Sequence, residues 1–563
     1  MKTDWLRTSL IAGIAVICFL LVIRWNEAQQ QQAPAEEEQT LASESSTPVL
    51  DAPNLNPTPS SNTVSEGEGI PSLETEQPIA VTQNQPQTDL IHVHTDVLDV
   101  LIDPVGGDIV RVALPTFYKE LNNPDKPYVL LDRTPSHTYI ARSGLIGRNG
   151  TDKPGDRPHF SSAKSEYQLQ DGEDSLSVDL VFEQSPGVTI TKRFTFTEGD
   201  HLINISYLIN NQSDQAWQGA IYGQIKHDGY NPVTSAGLGM QPFFGPSTTT
   251  DESNYEKMSL EDIEDKSFEH TKIGGWVAMV QHYFFSAWIP APEDKNAYKF
   301  YKLPKQEVYL LQFTSSLFKV DAQSQAEKTV QFYAGPKDIK RLEAVSPYLD
   351  LTVDYSFLWW IAKPLFFALD WIHSWVGNWG VAIILLTMLI KAIFFYPSAT
   401  SYRSMAKMRK LAPKMKELKD RYGDDRQKFS AETMKLYKTE KVNPLSGCLP
   451  VLIQMPVFLA LYWVLMESVE LRHAPFILWI EDLSVKDPYF VLPLIMGASM
   501  WIQQKLNPTP PDPMQAKVMQ MMPIFFTFLF LFFPSGLVLY WVVNNTLSIT
   551  QQYIITKNIE KQS

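Results

Sequence analysis

Two kinds of hydrophobic pattern divide the chain. Between residues 91 and 350, apolar and polar positions alternate in short runs: 96–102, 176–182, 188–196, 202–209, 308–313 and 329–333. Turn formers lie between them, including Gly106-Gly107, Pro186-Gly187, Glu198-Gly199-Asp200 and Asn210-Asn211. Period-two alternation at this spacing predicts an antiparallel sandwich, a single large β domain over 91–350. Beyond residue 376 the apolar residues run on without alternation, in 379–396, 449–466, 488–502, 518–533 and 537–555. These are five candidate membrane spans, the third and fourth of them short. Only Pro534-Ser535-Gly536 parts the last two. One helix through both would be roughly 50 Å long against a bilayer core of about 30 Å, so a tight hairpin is expected.

Three segments precede the spans. Residues 1–25 combine Lys2 and Arg7 with an apolar run over 10–23 that reaches spanning length when the flanks 5–25 are added. Ala33-Pro34-Ala35 sits far beyond that run for a cleavage site, so 1–25 reads as an uncleaved anchor. Residues 26–90 contain eight prolines and no aromatic residue. That composition cannot bury enough apolar surface to offset ordering, and a flexible periplasmic linker is expected. Residues 351–376 are rich in Trp and Phe, and on a helix Lys363, Asp370, His373 and Ser374 form one narrow polar stripe. An amphipathic helix lying in the membrane interface fits.

Charge orients these pieces. The 563 residues carry 48 Lys+Arg and 62 Asp+Glu, net −14, which argues against a nucleic-acid binder overall. The distribution is uneven: 26–350 is net −22, whereas 401–441 has 13 basic and 6 acidic residues, net +7. Positive loops stay in the cytoplasm. The loop 398–446 is therefore placed inside, the β domain outside and the N-terminus inside. Spans then fall at 377–397, 447–466, 488–502, 518–533 and 537–555, with 467–487 outside and 503–517 and the tail 556–563 inside. The fold expected is a polytopic α-helical membrane protein of six spans, an N-terminal anchor plus a five-helix core, with a large periplasmic β-sandwich. Cys18 and Cys448 are far apart in sequence and suggest neither a disulfide nor a metal site.

Chemistry-bearing motifs are sparse. There is no phosphate loop, no HExxH and no nucleophile elbow, so no catalytic residue, cofactor or metal is assigned. His92 and His94 form the one close histidine pair and read as an exposed strand face. Lys391 stands out, twelve residues from the outer end of its apolar run and five from the inner. A cation at such depth costs about 2.5–3.5 kcal/mol on insertion scales. Two readings are open: snorkelling to the cytoplasmic headgroups, or a cation in a polar intramembrane cavity. In the basic loop, Met405, Met408, Leu411, Met415 and Leu418 recur at helical spacing, 424–440 forms a second run, and Tyr422-Gly423 turns between them. A two-helix hairpin is predicted, its charges either a solvated face or a docking surface for an anionic partner such as ribosomal RNA. Met455, Phe458, Met496, Met500 and the Phe-rich run 525–533 suit core packing, or variable apolar partners.

Several motifs together resemble the YidC/Oxa/Alb membrane protein insertase family, and its Gram-negative YidC branch in particular. They are Asn378-Trp-Gly, Ser404-Met-Ala-Lys-Met-Arg, Asn443-Pro-Leu-Ser-Gly-Cys-Leu-Pro, Gln454-Met-Pro-Val-Phe, Glu470-Leu-Arg-His-Ala-Pro-Phe, Asp482-Leu-Ser and Phe533-Pro-Ser-Gly-Leu. Gly274-Gly-Trp and Gln281-His-Tyr-Phe-Phe-Ser-Ala-Trp-Ile-Pro carry the resemblance into the outer domain. The likeness implies a non-enzymatic insertase and chaperone of the bacterial inner membrane, working alone or with the Sec translocon. It implies a supersandwich-like periplasmic domain and a hydrophilic groove open to cytoplasm and lipid. The implied groove residues are Lys391, Thr387, Met455, Phe458, Tyr540 and Trp541, and Met408, Arg409 and Tyr437 belong to the cytoplasmic hairpin. The family usually has Arg where this chain has Lys391, which keeps the charge but not the planar donor fork. Nascent membrane proteins, the Sec translocon, the ribosome through the cytoplasmic loops, and membrane lipids are the implied partners. A secondary transporter would show internal repeats and several intramembrane ionisable groups, which are not seen. A carbohydrate enzyme would rest on the outer domain alone.

Overall fold

Alternation along the first half of the chain becomes alternating burial. In this computed structural model, residues 90–561 are described apart from 122, 124, 154, 185–186, 233–241, 305, 424, 441, 443–448 and 508–512. The expected anchor, 1–25, and the expected linker up to residue 89 lie outside the described residues, as do both cysteines. The strand Val188–Thr197 buries every second residue, and it pairs antiparallel with Leu202–Asn211, which in turn pairs with Ser324–Pro336. These belong to a nine-stranded sheet that faces an eleven-stranded one. Ile190, Phe194, Ile205 and Phe332 from the first meet Val100, Ile102, Leu131 and Leu145 from the second in one apolar core. The β-sandwich expected from period two is therefore present.

Local chemistry explains the departures. The first expected strand starts at Asp99 rather than 96, because Thr95 Oγ1 accepts from the amides of Val97 and Leu98 at 3.3 and 2.9 Å and turns the chain. Val277–Val280 and Phe284–Ile289 are buried at every position, so no alternation announces them. Lys192 occupies an inward position of its strand. Its Nζ donates to the carbonyls of Gly106, Gly107 and Ser143 at 3.0, 2.8 and 2.9 Å. Gly107, at φ +62°, allows that approach, since a Cβ there would lie 3.0 Å from Lys192 Cδ.

Two short helices, α1 (Leu260–Asp265) and α2 (Ile339–Val345), decorate the sandwich. The chain then becomes helical: α3 (Trp359–Val376), α4 (Trp379–Ile393), α5 (Phe395–Lys410), α6 (Ala412–Tyr422), α7 (Arg426–Thr439), α8 (Leu449–Glu467), α9 (Val491–Leu506), α10 (Pro513–Phe530) and α11 (Ser535–Lys561). The start of α10, up to Met522, belongs to a unit separate from the other described residues. In the larger unit a second apolar core is continuous from Trp276, Phe285, Tyr333 and Leu342 of the sandwich to Leu369, Leu386, Leu461, Leu465 and Tyr540 of the helices.

Helix α3 carries both of its expected faces. Lys363 pairs with Glu343 and Asp350 at 2.7 and 2.8 Å, and Asp370 with Lys340 at 2.6 Å, which ties the polar stripe to the base of the sandwich. His373 stacks on Trp379 with ring centroids 3.9 Å apart, while Trp359, Trp360, Trp371 and Trp375 stay exposed.

No single described helix is long and apolar enough to cross a membrane. Helices α4 and α5 together are, but they bend by 68° at their junction. The basic loop also differs from a two-helix hairpin. The helical spacing of Met405 to Leu418 runs through a break at Leu411, because Pro413 in the first turn of α6 has no N–H for the carbonyl of Arg409. Helix α5 instead buries Ser398, Ala399, Ser401, Tyr402 and Met405, and α6 and α7 form the outer hairpin.

Candidate functional site

Lys391 lies near the C-terminal end of α4, and its side chain is nearly buried, with the residue only 7 % exposed. Asn378 starts this helix by accepting from the Val381 amide at 3.0 Å, which sets the rotation of every later residue. Lys391 then points between α8 and α11. Its Nζ donates to Ser548 Oγ at 2.7 Å and to Gln454 Oε1 at 3.3 Å. Both partners are uncharged, so the positive charge is solvated by dipoles and not neutralised. Ser548 donates its own hydroxyl to the Asn544 carbonyl at 2.7 Å, so towards the ammonium its oxygen acts as acceptor.

Ser548 belongs to a polar seam on α11. Asn545, Ser548, Gln552 and Thr556 recur at steps of three and four and are all buried. Asn545 Nδ2 donates to Ser499 Oγ of α9 at 3.1 Å, and Gln552 Nε2 to the Asn507 side chain at 2.9 Å. Gln454 Nε2, Gln552 Oε1 and Trp541 Nε1 are buried with no partner among the described residues. Thr387, one turn before Lys391, is buried and bonds back to the Ile383 carbonyl at 2.6 Å.

An aromatic surface adjoins the seam. Phe458 of α8 meets Trp541 edge-on at 4.4 Å and stacks with Tyr540 at 6.2 Å. Phe530 lies 5.3 Å from Trp541, and Met455, one residue beyond Gln454, is 40 % exposed. Polar seam and aromatic surface thus share α8 and α11.

Comparison with known proteins settles the family. A family model described as YidC periplasmic domain matches residues 90–368, and one described as 60Kd inner membrane protein matches 371–562. The membrane protein insertase YidC of Cellvibrio japonicus is 55% identical over 563 residues, covering 99% of each chain. The chain belongs to the YidC family. The YidC of Saccharophagus degradans is 56% identical over 561 residues, 99% of this chain and 100% of that one. A solved structure described as an active YidC insertase with the first transmembrane domain resolved is also similar, at a TM-score of 0.37 and 18% identity, over 83% of this chain and 92% of that one.

The YidC-like residues singled out from sequence fall into two places. Thr387 and Lys391 on α4, Met455 and Phe458 on α8, and Tyr540 and Trp541 on α11 surround the seam and its aromatic surface. Met408 and Arg409 end α5 and Tyr437 lies on α7, apart from Lys391. Sequence reasoning missed Gln454, Ser499, Asn545, Ser548 and Gln552. Their signal was present as a three-and-four spacing of polar residues inside an apolar run, which a scan for mean hydropathy averages away.

Proposed function

We propose that this chain inserts segments of newly made membrane proteins into the bacterial inner membrane, with the seam around Lys391 as the entry groove. The observation that carries this reading is a buried ammonium whose partners, Gln454 and Ser548, are both neutral. A structural lysine at this depth would be matched by a carboxylate. Lys391 is instead poised for a transient anion, such as the acidic residues of a short translocated tail. The unpartnered atoms of Gln454, Gln552 and Trp541 offer further hydrogen bonds to a polar backbone in transit.

The apolar part of the client slides along Met455, Phe458, Tyr540 and Trp541 towards lipid, and the hydrophobic effect drives its release. No covalent step is required. Helix α4, with 15 residues, is about 22 Å long, short of a bilayer core of about 30 Å, which favours a locally thinned membrane. Exposed Leu385, Met388, Leu389 and Ile393 on α4 and Leu494, Ile495 and Ile502 on α9 suit a lipid-facing surface, and the Trp face of α3 suits the outer headgroups. In this reading six spans, including 1–25, keep both termini in the cytoplasm and the sandwich in the periplasm. The basic helices α5 to α7, with Met408, Arg409 and Tyr437, face the ribosome, and clients arrive with or without the Sec translocon.

The test is a photocrosslinker at Trp541 in cells or vesicles carrying a ribosome-stalled membrane protein, with a second at exposed Glu269 in the sandwich as control. Adducts at Trp541 and none at Glu269 are expected. Equal yields at both positions overturn the groove.

A further inference from the structure

We propose that the first hairpin of the sandwich carries a zinc site, with His92, His94 and Asp99 as ligands and Glu166 as the fourth. The strand Ile91–His94 buries Ile91 and Val93, so His92 and His94 project together from its outer face. The antiparallel register sets His94 opposite Asp99 on the next strand, and the parallel register on the other side sets His92 opposite Glu166. Paired residues share a face of the sheet, so Glu166 stands on the same face as His92, His94 and Asp99, whose donor atoms already lie together, and its exposed side chain is free to swing in as the fourth ligand.

The spacing suits the ion. His92 Nε2 lies 3.0 Å from Asp99 Oδ1, and His94 Nδ1 lies 3.5 Å from Asp99 Oδ2. Tetrahedral zinc with bonds of about 2.0–2.1 Å separates its ligands by about 3.3 Å, and each histidine lies near that distance from one oxygen of Asp99. His94 Nε2, 3.1 Å from His92 Nδ1, turns away when both rings bind, since each outer nitrogen then carries N–H. One donor atom from each of the three residues fits within a 4.8 Å cluster. Imidazole with carboxylate is a donor set for zinc-like ions. Arg111 is the opposing feature: its Nη1 lies 3.1 Å from Asp99 Oδ1 and competes for that carboxylate. Asp99 Oδ2 faces His94, so metal entry requires Arg111 to yield one contact, which tunes affinity downward without closing the site. Bound zinc would tie the edge strand Glu166–Gln168, three residues long, to the first hairpin. An edge strand that short is held by few ladder bonds, and a metal clip would guard the sheet edge.

The test is calorimetric titration of the full chain in detergent, made without a polyhistidine tag, with Zn²⁺ as the probe. One ion per chain is expected, with at least a tenfold loss of affinity in the His92→Gln/His94→Gln variant. That variant keeps the inward Ile91 and Val93, and its metal-free melting temperature should match wild type. Arg111→Gln should bind several-fold more tightly. Equal zinc affinity in wild type and the double histidine variant, or no one-to-one binding, overturns the site; an Arg111→Gln variant of unchanged affinity overturns the role of Asp99.

Discussion

Lys337 Nζ lies 3.0 Å from Glu467 Oε2, and both side chains are fully buried. Lys337 closes the last strand of the sandwich and Glu467 ends α8, so this ion pair joins the outer domain to the helices. Around it, His282 donates to the Met466 carbonyl at 2.8 Å, and Arg472 donates to the Tyr118 carbonyl at 2.5 Å beneath the rings of Tyr128 and Phe284. The junction is polar at its centre and apolar around it, which demands one relative placement of the two parts.

Breaking a buried pair from one side strands the other charge. Glu467→Ala should cost about 3–5 kcal/mol, and the paired change Lys337→Met/Glu467→Leu markedly less. Denaturant unfolding in detergent checks the order, and a single variant as stable as the double one contradicts it.

Most of the sandwich lies outside this junction. Deleting much of 91–330, sparing the strands that carry Tyr118, Tyr128 and His282 and retaining Lys337, α2 and α3, should leave insertion of simple clients working, because the groove residues all lie on α4, α8 and α11. Loss of insertion by a deletion variant that remains folded and in the membrane refutes this.

Charge at position 391 should decide which clients suffer. Lys391→Arg should be tolerated. Lys391→Ala should impair clients with acidic tails and spare neutral ones, and Lys391→Glu should impair acidic tails more, since repulsion replaces attraction in a site screened less than water. The measurement is insertion of one client with its tail carboxylates intact or changed to amides. Equal losses for both tails would reduce Lys391 to a membrane anchor.

Acid should remove the stability that two buried neutral histidines contribute, while Glu467 and Glu470, pushed up to about 7 by burial, act in the opposite direction. Burial holds His201 down to about 4, with Asp200 pulling the other way, and holds His282 down to about 3, with Lys337 and Arg472 adding to the effect. Unfolded histidine titrates near 6.5, so the unfolded chain takes up protons first as the pH falls. The stability these neutral rings contribute is complete above about pH 6.5 and is lost progressively towards about pH 4 and below. Melting curves from pH 7.5 to 4.5 should show wild type losing more stability than His282→Gln as the pH falls, and parallel curves would contradict the role of His282.

Contact between α9 and α10 rests on a missing side chain. A Cβ at Gly497 would sit 1.9 Å from Thr527 Oγ1. Gly497→Ala should destabilise by about 1–3 kcal/mol, and adding Thr527→Ala should restore part of the loss. Additive losses in the double variant would show that the clash is not the cause.

How far the chain could be read unaided follows from the range of each signal. Alternation over 188–196 sufficed for a strand buried on one face, because side chains on a strand change sides at every residue. Lys391 was legible because a cation in an apolar run is costly wherever its partners lie. The motifs running from Gly274 to Phe533 sufficed for the family. Tertiary structure alone decided the rest. Gln454 and Ser548 reach Lys391 from 63 and 157 residues away, and no local period encodes which helix faces which. The same polar seam that solvates Lys391 lowers the hydropathy of α11, so 27 helical residues do not register as a span. Phe284–Ile289 is buried on both faces because the helices cover the side that a free-standing sandwich would leave wet, and Lys337 meets Glu467 only where that cover closes.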